Sequence, residues 1–169
     1  KSSAASDVYK RQMDILAELG DAVLIYAEKA RSENVTIIYE EPEMLPFVNG
    51  DKNRIRQVFI NIIDNAIKYS KESVKINISS SSDANHDIIN IYDNGIGIPQ
   101  KDQKKIFEKF ERASAIKQTR KGGPSGFGLG LNYVYQVMEA HEGRVYINSI
   151  EGEFSEFSLL IPKIIESYD

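Results

Sequence analysis

The stretch Asn61-Ile62-Ile63-Asp64-Asn65-Ala66-Ile67-Lys68-Tyr69 decides how the rest of the chain is interpreted. Apolar residues recur every three or four positions over 52–69, which predicts an amphipathic helix. Its apolar face consists of Ile55, Val58, Phe59, Ile62, Ile63 and Ala66. Its polar face carries Gln57, Asn61, Asp64, Asn65 and Lys68.

This polar face differs from an ordinary solvated one because two carboxamides lie one turn apart in mid-helix. Asparagine is a mediocre helix former, since its side chain competes for the backbone, so Asn61 and Asn65 call for an explanation. An amide oxygen suits Mg²⁺, and Lys68 offers a mobile cation for phosphate. The alternative is a plain polar face with an Asp64–Lys68 ion pair, which stabilises a helix by about 0.2–0.5 kcal/mol. The helix by itself leaves both interpretations open.

Composition limits the class of protein. The 169 residues are 41% apolar and 27% charged, which is typical of one soluble globular domain. A formal net charge of −4 argues against a nucleic-acid surface. The absence of cysteine excludes disulfides and thiolate chemistry and fits a reducing compartment. No apolar run approaches the roughly 18–20 residues of a membrane span. We therefore expect a cytoplasmic fragment without membrane contact, any spans of a parent protein lying outside it.

The remaining elements follow from periodicity and turn residues. Residues 1–12 lack apolar periodicity and are interpreted as a non-native or linker tail, and 13–169 as one domain. The predicted helices cover 13–34, 52–69 with Asp51 as N-cap, 100–110 and 126–141. The predicted strands cover 35–40, 73–79, 88–92, 144–148 and 154–161. A polar hairpin tip is predicted over 79–85, a loop around Asn49-Gly50, and a long functional loop over 111–125. This order predicts an α+β two-layer sandwich rather than a Rossmann fold.

Two glycine-containing segments suggest ligand contacts. Asp93-Asn94-Gly95-Ile96-Gly97-Ile98-Pro99 follows a strand, and its glycines indicate a positive φ or a close backbone approach. The Asp93 carboxylate is placed to accept a hydrogen bond from an exocyclic amine such as adenine N6, or to cap the turn. Gly126-Phe127-Gly128-Leu129-Gly130-Leu131 opens a helix after a basic loop, so its free N–H groups and helix dipole predict a phosphate lid. Taken alone, that glycine pattern equally fits a turn.

Individual side chains also allow two interpretations. Tyr69 is expected either to stack on a purine or to pack in the core, and Arg112 either to reach a γ-phosphate or to lie on the surface. Phe107 and Phe110 are expected to be core anchors. His86 and His141 are expected to be structural or surface residues, since neither is flanked by an acidic residue and a Thr-Pro pair; a cation at His141 would favour the helix dipole.

Four motifs in order resemble one family. The segment 61–69 resembles the N box, 93–99 the G1 box, 107–110 (FEKF) the F box and 126–131 (GFGLGL) the G2 box. Together they resemble the ATP-binding catalytic domain of sensor histidine kinases, within the superfamily of gyrase, heat-shock chaperones and mismatch-repair ATPases. The resemblance covers about 13–162 and implies the Bergerat fold, a mixed, mainly antiparallel sheet with helices on one face.

The resemblance also implies site residues and cofactors. ATP and Mg²⁺ are implied, with Asn65 as the metal ligand and Asn65, Lys68 and Arg112 as catalytic residues. The implied nucleotide contacts are Asn61, Asn65, Lys68, Tyr69, Asp93, Gly95, Gly97, Ile98, Gly126, Phe127, Gly128, Leu129, Gly130 and Leu131. Three features depart from the family pattern. Phe127 replaces a common Ser or Thr, Glu142 replaces a usual Gly, and 151–156 is less glycine-rich than usual.

The phosphoacceptor region of the family is missing from this sequence. The resemblance therefore implies a kinase domain that donates the γ-phosphate of MgATP to a histidine on a separate dimerisation and phosphotransfer domain of the same parent kinase. It also implies a response regulator receiver domain as a further partner in two-component signalling.

Two alternatives stay open, a slow ATPase of the same superfamily and a non-catalytic nucleotide-binding module. An ATPase usually has a glutamate at position 61, and the amide of Asn61 cannot take a proton at neutral pH.

Overall fold

The computed structural model describes residues 11–40, 44–107 and 127–164, with only the backbone of 127–129. The helices are α1 (Ile15–Ser32), α2 (Lys52–Lys68), α3 (Gln100–Gln103) and α4 (Phe127–Ala140). The strands are β1 (Arg11–Met13), β2 (Val35–Tyr39), β3 (Val48–Gly50), β4 (Val74–Ser82), β5 (His86–Asp93), β6 (Arg144–Ile150) and β7 (Phe154–Pro162). No helix in these ranges is both long enough and apolar enough to cross a membrane.

A five-stranded sheet forms one layer, with the strand order β2-β4-β5-β7-β6. The β2–β4 pair is parallel and the other three pairs are antiparallel, so the predicted mixed, mainly antiparallel sheet is confirmed. Alternate residues of the central strands are buried, because successive side chains of a strand point to opposite faces. Ile89 of β5, for example, lies opposite Leu159 of β7, and both are fully buried.

Helices α1, α2 and α4 form the second layer, with α2 in contact with both of the others. The Asp51 carboxylate accepts the N–H groups of Asn53 and Arg54 at 3.1 and 3.2 Å, as the predicted N-cap should. The whole predicted apolar face of α2 is buried. This packing orients the opposite, amide-bearing face of α2 toward α4.

Several boundaries differ from prediction. Arg11 and Gln12 belong to the fold, because β1 pairs with β3 in a second, two-stranded sheet; the origin of 1–10 stays a prediction. Asn49-Gly50 lies in β3, so the predicted loop there is wrong. The hairpin tip is only 83–85, because the serine-rich end of β4 continues the ladder with β5.

The predicted helix over 100–110 ends at Gln103 within the described residues. The loop over 111–125 lies outside them.

Candidate functional site

An apolar pocket lies between the C-terminal half of α2 and the end of β5. Its lining residues are Asn65, Ala66, Tyr69, Asp93, Ile96, Gly97, Ile98, Ser155 and Phe157. The fold therefore brings five predicted site residues from two motifs into one cavity. A mostly apolar pocket with a few convergent polar groups is the usual form of a small-molecule site.

Asp93 is the acidic group of this pocket and is only 6% exposed. Its Oδ1 accepts the Gly95 N–H at 2.9 Å, so the turn-capping alternative is confirmed as geometry. Burial raises the pKa of Asp93 to about 7, although the Gly95 N–H and the charge of Lys71 oppose the increase. A buried carboxyl with a raised pKa inside a cavity is typical of a functional site.

An open polar groove lies beside the pocket. Its lining residues are Gln57, Asn61, Asp64, Asn65, Lys68, Gly130 and Tyr133. Asn65 lines both cavities and is 7% exposed, so it marks their junction. Its Nδ2 is buried without a hydrogen-bond partner in the described structure. A buried amide nitrogen without a partner costs free energy, so an asparagine at this position calls for a functional explanation.

Asn61 connects the groove-lining helices. Its Oδ1 accepts the Gln57 side-chain amide at 2.8 Å, and its Nδ2 donates to the Gly130 carbonyl at 3.1 Å. The predicted position of Asn61 on the face of Asn65 is therefore correct, and both of its polar atoms are engaged. This amide holds α2 against the first turns of α4.

Lys68 forms the ion pair with Asp64 that the sequence analysis gave as the alternative to a ligand role. Its Nζ lies 2.9 Å from Asp64 Oδ2, and a second lysine, Lys29 of α1, lies 3.4 Å from Asp64 Oδ1. Because Lys68 also lines the groove, the ion pair and the ligand role are compatible.

The donor set fits Mg²⁺ held mainly by a substrate. No group of three or more His, Cys, Asp and Glu side chains that could hold a metal ion occurs in ranges 11–40, 44–107 and 127–164. Mg²⁺ is commonly held by one or two protein oxygens, with water and substrate phosphates completing its shell. The amide of Asn65 suits that arrangement, whereas Asn61 is already bonded twice.

The glycines of the G1 motif are required by the protein's own backbone. Gly97 has φ +69°, and a Cβ there would collide with the Ile150 carbonyl. A Cβ on Gly95 would lie 2.7 Å from the Tyr69 carbonyl. The predicted close approach is therefore to neighbouring chain segments.

Glu142, which stands where the family usually has glycine, also has an unusual backbone conformation. This residue has φ 59°, in the left-handed region that favours glycine, which accounts for the glycine usual there in the family.

Some predicted residues lie elsewhere. Leu131 is fully buried in the core and lines neither cavity, so its side chain is unavailable to a nucleotide. Phe107 is a core anchor as predicted, with ring contacts to Phe157 and Tyr135 at 6.3 and 6.1 Å. The remaining predicted positions lie outside the described side chains: Phe110, Arg112, Gly126, Phe127, Gly128 and Leu129.

His141 is structural, as predicted, but it is not a cation at the helix end. Its Nε2 accepts the Asp51 N–H at 2.9 Å, and its Nδ1 therefore carries the proton and donates to the Val137 carbonyl at 2.8 Å. The imidazole is neutral and 3% exposed. It connects the end of α4 to the N-cap of α2. His86 begins β5 and lies 3.4 Å from Asp83 at the hairpin tip.

Sequence reasoning missed several lining residues. Ser155 and Phe157 reach the pocket from β7, far from the motifs, and no local pattern marks them. Tyr133 lines the groove one helical turn from Gly130, so helical spacing was a usable signal for it. Gln57, already placed on the polar face by its spacing, lines the groove one turn from Asn61.

A comparison with protein families matches residues 50–165 to the histidine kinase-, DNA gyrase B-, and HSP90-like ATPases. The chain belongs to this family. The match begins just before the N-cap of α2 and includes both cavities, so the predicted resemblance is confirmed.

Sequence relatives within the family are sensor kinases. The chain is 37% identical over 149 residues to sensor protein kinase WalK of Staphylococcus epidermidis, covering 86% of this chain and 24% of WalK. It is 39% identical over 149 residues to the adaptive-response sensory kinase SasA of Prochlorococcus marinus, covering 87% of this chain and 39% of SasA. The chain thus spans only a quarter to two fifths of the length of these relatives.

Solved structures of histidine kinases have the same fold as this chain. The catalytic domain of histidine kinase ThkA, in a nucleotide-free form, superposes with a TM-score of 0.76 at 26% identity, covering 92% of this chain and 98% of that one. The mycobacterial sensor histidine kinase MprB gives a TM-score of 0.75 at 21% identity, over 90% and 97% of the two chains, and supports the fold alone. This family member therefore has the architecture of a histidine kinase catalytic domain.

Proposed function

We propose that this chain binds MgATP and presents its γ-phosphate to a histidine on a separate dimerisation and phosphotransfer domain of its parent kinase. The observation that carries the proposal is the position of Asn65 at the junction of an apolar pocket with a polar, lysine-bearing groove. A nucleoside triphosphate has this same division into a flat, weakly polar base and a charged chain. The family match supports the nucleotide assignment.

In this proposal the adenine occupies the apolar pocket. Tyr69, Ile98 and Phe157 supply apolar walls, and the Asp93 carboxylate accepts the hydrogen bond of the exocyclic amine. The raised pKa of Asp93 means that its ionised form is poorly stabilised by the protein itself. A hydrogen-bond donor on the ligand would stabilise that form, which favours adenine over a base that presents an oxygen there.

The triphosphate lies along the polar groove with Mg²⁺ on the Asn65 amide. Lys68 is the groove-lining lysine among the described residues, and its flexible stem lets its ammonium turn from Asp64 toward phosphate. Arg112 and the segment 126–131 are further proposed phosphate contacts. Phosphoryl transfer to an imidazole nitrogen requires mainly positioning and charge neutralisation, and this set of groups supplies both.

Hydrolysis by water is the weaker alternative. Activation of water needs a general base, and the family position that carries a glutamate in ATPases is Asn61 here. Both polar atoms of Asn61 are bonded within the protein, to Gln57 and to the Gly130 carbonyl. We expect very slow turnover of ATP by the isolated domain.

The proposed partners are inferred from those of similar proteins. Histidine kinase ThkA, whose catalytic domain resembles this chain, has been solved in complex with response regulator protein TrrA. We propose by analogy that a receiver domain accepts the phosphoryl group from the parent of this chain, and that the signalling takes place in the cytoplasm.

Calorimetry with a non-hydrolysable ATP analogue tests the proposal. Asn65→Ala should abolish the increase in affinity that Mg²⁺ gives the wild-type chain. Asn148→Ala, a change of the same type at an exposed position of β6, should leave it intact. Unchanged Mg²⁺-dependent affinity in Asn65→Ala would refute the proposed site.

A further inference from the structure

A charged cluster of four side chains joins α1 to the edge of the polar groove. Asp64 lies at its centre, with Oδ1 3.4 Å from Lys29 Nζ and Oδ2 2.9 Å from Lys68 Nζ. Burial raises the pKa of Tyr26, and the charge of Asp64 and its side-chain interaction with the tyrosine hydroxyl add to the increase. Lys29 also lies over the ring of Tyr26, 5.6 Å from its centroid. Each oxygen of Asp64 thus has its own lysine.

Asp64 presents an electrostatic difficulty for the proposed ligand. It is a groove-lining acid, and a carboxylate beside a triphosphate repels it. It also holds Lys68, the groove lysine that is expected to contact phosphate. When the phosphates of a nucleotide draw Lys68 toward them, Asp64 loses its nearest cation. At the same time the phosphates bring further negative charge close to Asp64.

We propose that Lys29 and Tyr26 of α1 are positioning residues that keep Asp64 neutralised and thereby release Lys68 for the phosphates. When Lys68 turns toward the nucleotide, Asp64 retains the ammonium of Lys29 and the hydroxyl of Tyr26. The inference rests on the proposed function, since it concerns the same triphosphate, but neither α1 residue lines the pocket or the groove.

The charges of the cluster support this assignment. With both lysines present, Lys29, Asp64 and Lys68 sum to one positive charge, and without Lys29 they sum to zero. Lys68 would then be the one cation of the cluster left to Asp64. Burial of Tyr26 and the charge of Asp64 both raise the pKa of the tyrosine, so its hydroxyl stays protonated and remains a donor.

The test is a binding series on the chain with Lys29→Met. With Mg²⁺ present, we expect affinity for the ATP analogue to fall about three- to fivefold, within the range of partly exposed ion pairs, affinity for ADP to fall less, and affinity for adenosine to stay unchanged. Lys29→Arg should restore the ATP affinity. Arg31→Met, an exposed loss of charge on the same helix, serves as the control for long-range electrostatics.

A double-mutant comparison separates positioning from general charge loss. On an Asp64→Asn background, Lys29→Met should no longer change the affinity for the ATP analogue, because there is no carboxylate left to neutralise.

Equal losses on both backgrounds, an equal loss in Arg31→Met, or a loss for adenosine would overturn the inference. The inference would also be overturned if Lys29→Met, with the same unfolding midpoint as the wild-type chain, bound the ATP analogue with wild-type affinity. If the wild-type chain lacks Mg²⁺-dependent binding altogether, the proposed function fails instead, so the two failures are distinguishable.

Discussion

Replacing Asp93 by Asn should make the ligand-free domain more stable and the nucleotide complex weaker. Asp93 is 6% exposed, and the apolar pocket around it offers its charge little compensation. The isosteric amide removes the buried charge and keeps an oxygen for the Gly95 N–H. The same change removes the anionic acceptor proposed for adenine N6. Stability and binding should therefore move in opposite directions.

The structure sets the size of the stability effect. An aspartate in an unfolded chain has a pKa of about 3.9, and burial raises the pKa of folded Asp93 to about 7. Between these two pKa values the folded state holds more protons than the unfolded state, so this group makes stability fall as pH rises. At about 1.4 kcal/mol per pKa unit the penalty above pH 7 has a ceiling of about 4 kcal/mol. From pH 5 to 8, wild type should lose about 3 kcal/mol relative to Asp93→Asn.

Urea unfolding at the two pH values, for wild type and variant in parallel, measures this difference. Asp87→Asn is a matched control on the same strand, because Asp87 is fully buried with both oxygens unpartnered in the described structure. Burial raises the pKa of Asp87 to about 6, with the charge of Lys163 opposing the increase, so its pH-dependent gain should be about 1.4 kcal/mol. Asp87 lies outside both described cavities, so nucleotide affinity should not change.

For Asp93→Asn, calorimetry should show at least a tenfold loss of ATP affinity, since a hydrogen bond to a charged group contributes about 1.5–3 kcal/mol. Equal stability differences at pH 5 and 8 would contradict the argument from burial. Undiminished ATP affinity would remove Asp93 from the base pocket.

Three further changes test the scaffold that positions the site, each by urea unfolding. Gly97→Ala should cost more than about 2 kcal/mol because of its positive φ and the collision with Ile150. Gly152 also has a positive φ, but a Cβ added there would meet no atom within 4 Å, so Gly152→Ala should cost less. Equal costs would show that the collision is unimportant. His141→Ala should cost about 2–3 kcal/mol, because it removes one buried and one partly buried hydrogen bond and leaves the Asp51 N–H unpaired. An unchanged stability would mean that His141 does not couple α4 to the N-cap of α2. Phe59→Ala should cost about 3–5 kcal/mol, because it opens a cavity beneath the apolar face of α2. A cost of less than about 1 kcal/mol would mean that the surrounding core closes the cavity.

Much of the fold was predictable because its determinants are local. The apolar period of α2, the Asp51 cap and the alternation in β5 and β7 each depend on residues a few positions apart. The errors occurred where partners are distant. Arg11 and Gln12 form a strand only because β3 lies beside them. The serines at the end of β4 look like a loop in the sequence, but they continue the strand because β5 pairs with them.

The sequence by itself determined which chemical groups are candidates for the proposed site: the amides of α2, the acid at the end of β5 and the glycine-rich start of α4. Only the tertiary structure decided where they meet. It placed Asn65 at the boundary between two cavities, brought Phe157 and Ser155 to the pocket from β7, and gave each oxygen of Asp64 a separate lysine. The physical reason is that periodicity fixes which face of an element a side chain occupies. The facing partner is fixed only when distant segments pack together to bury the apolar faces.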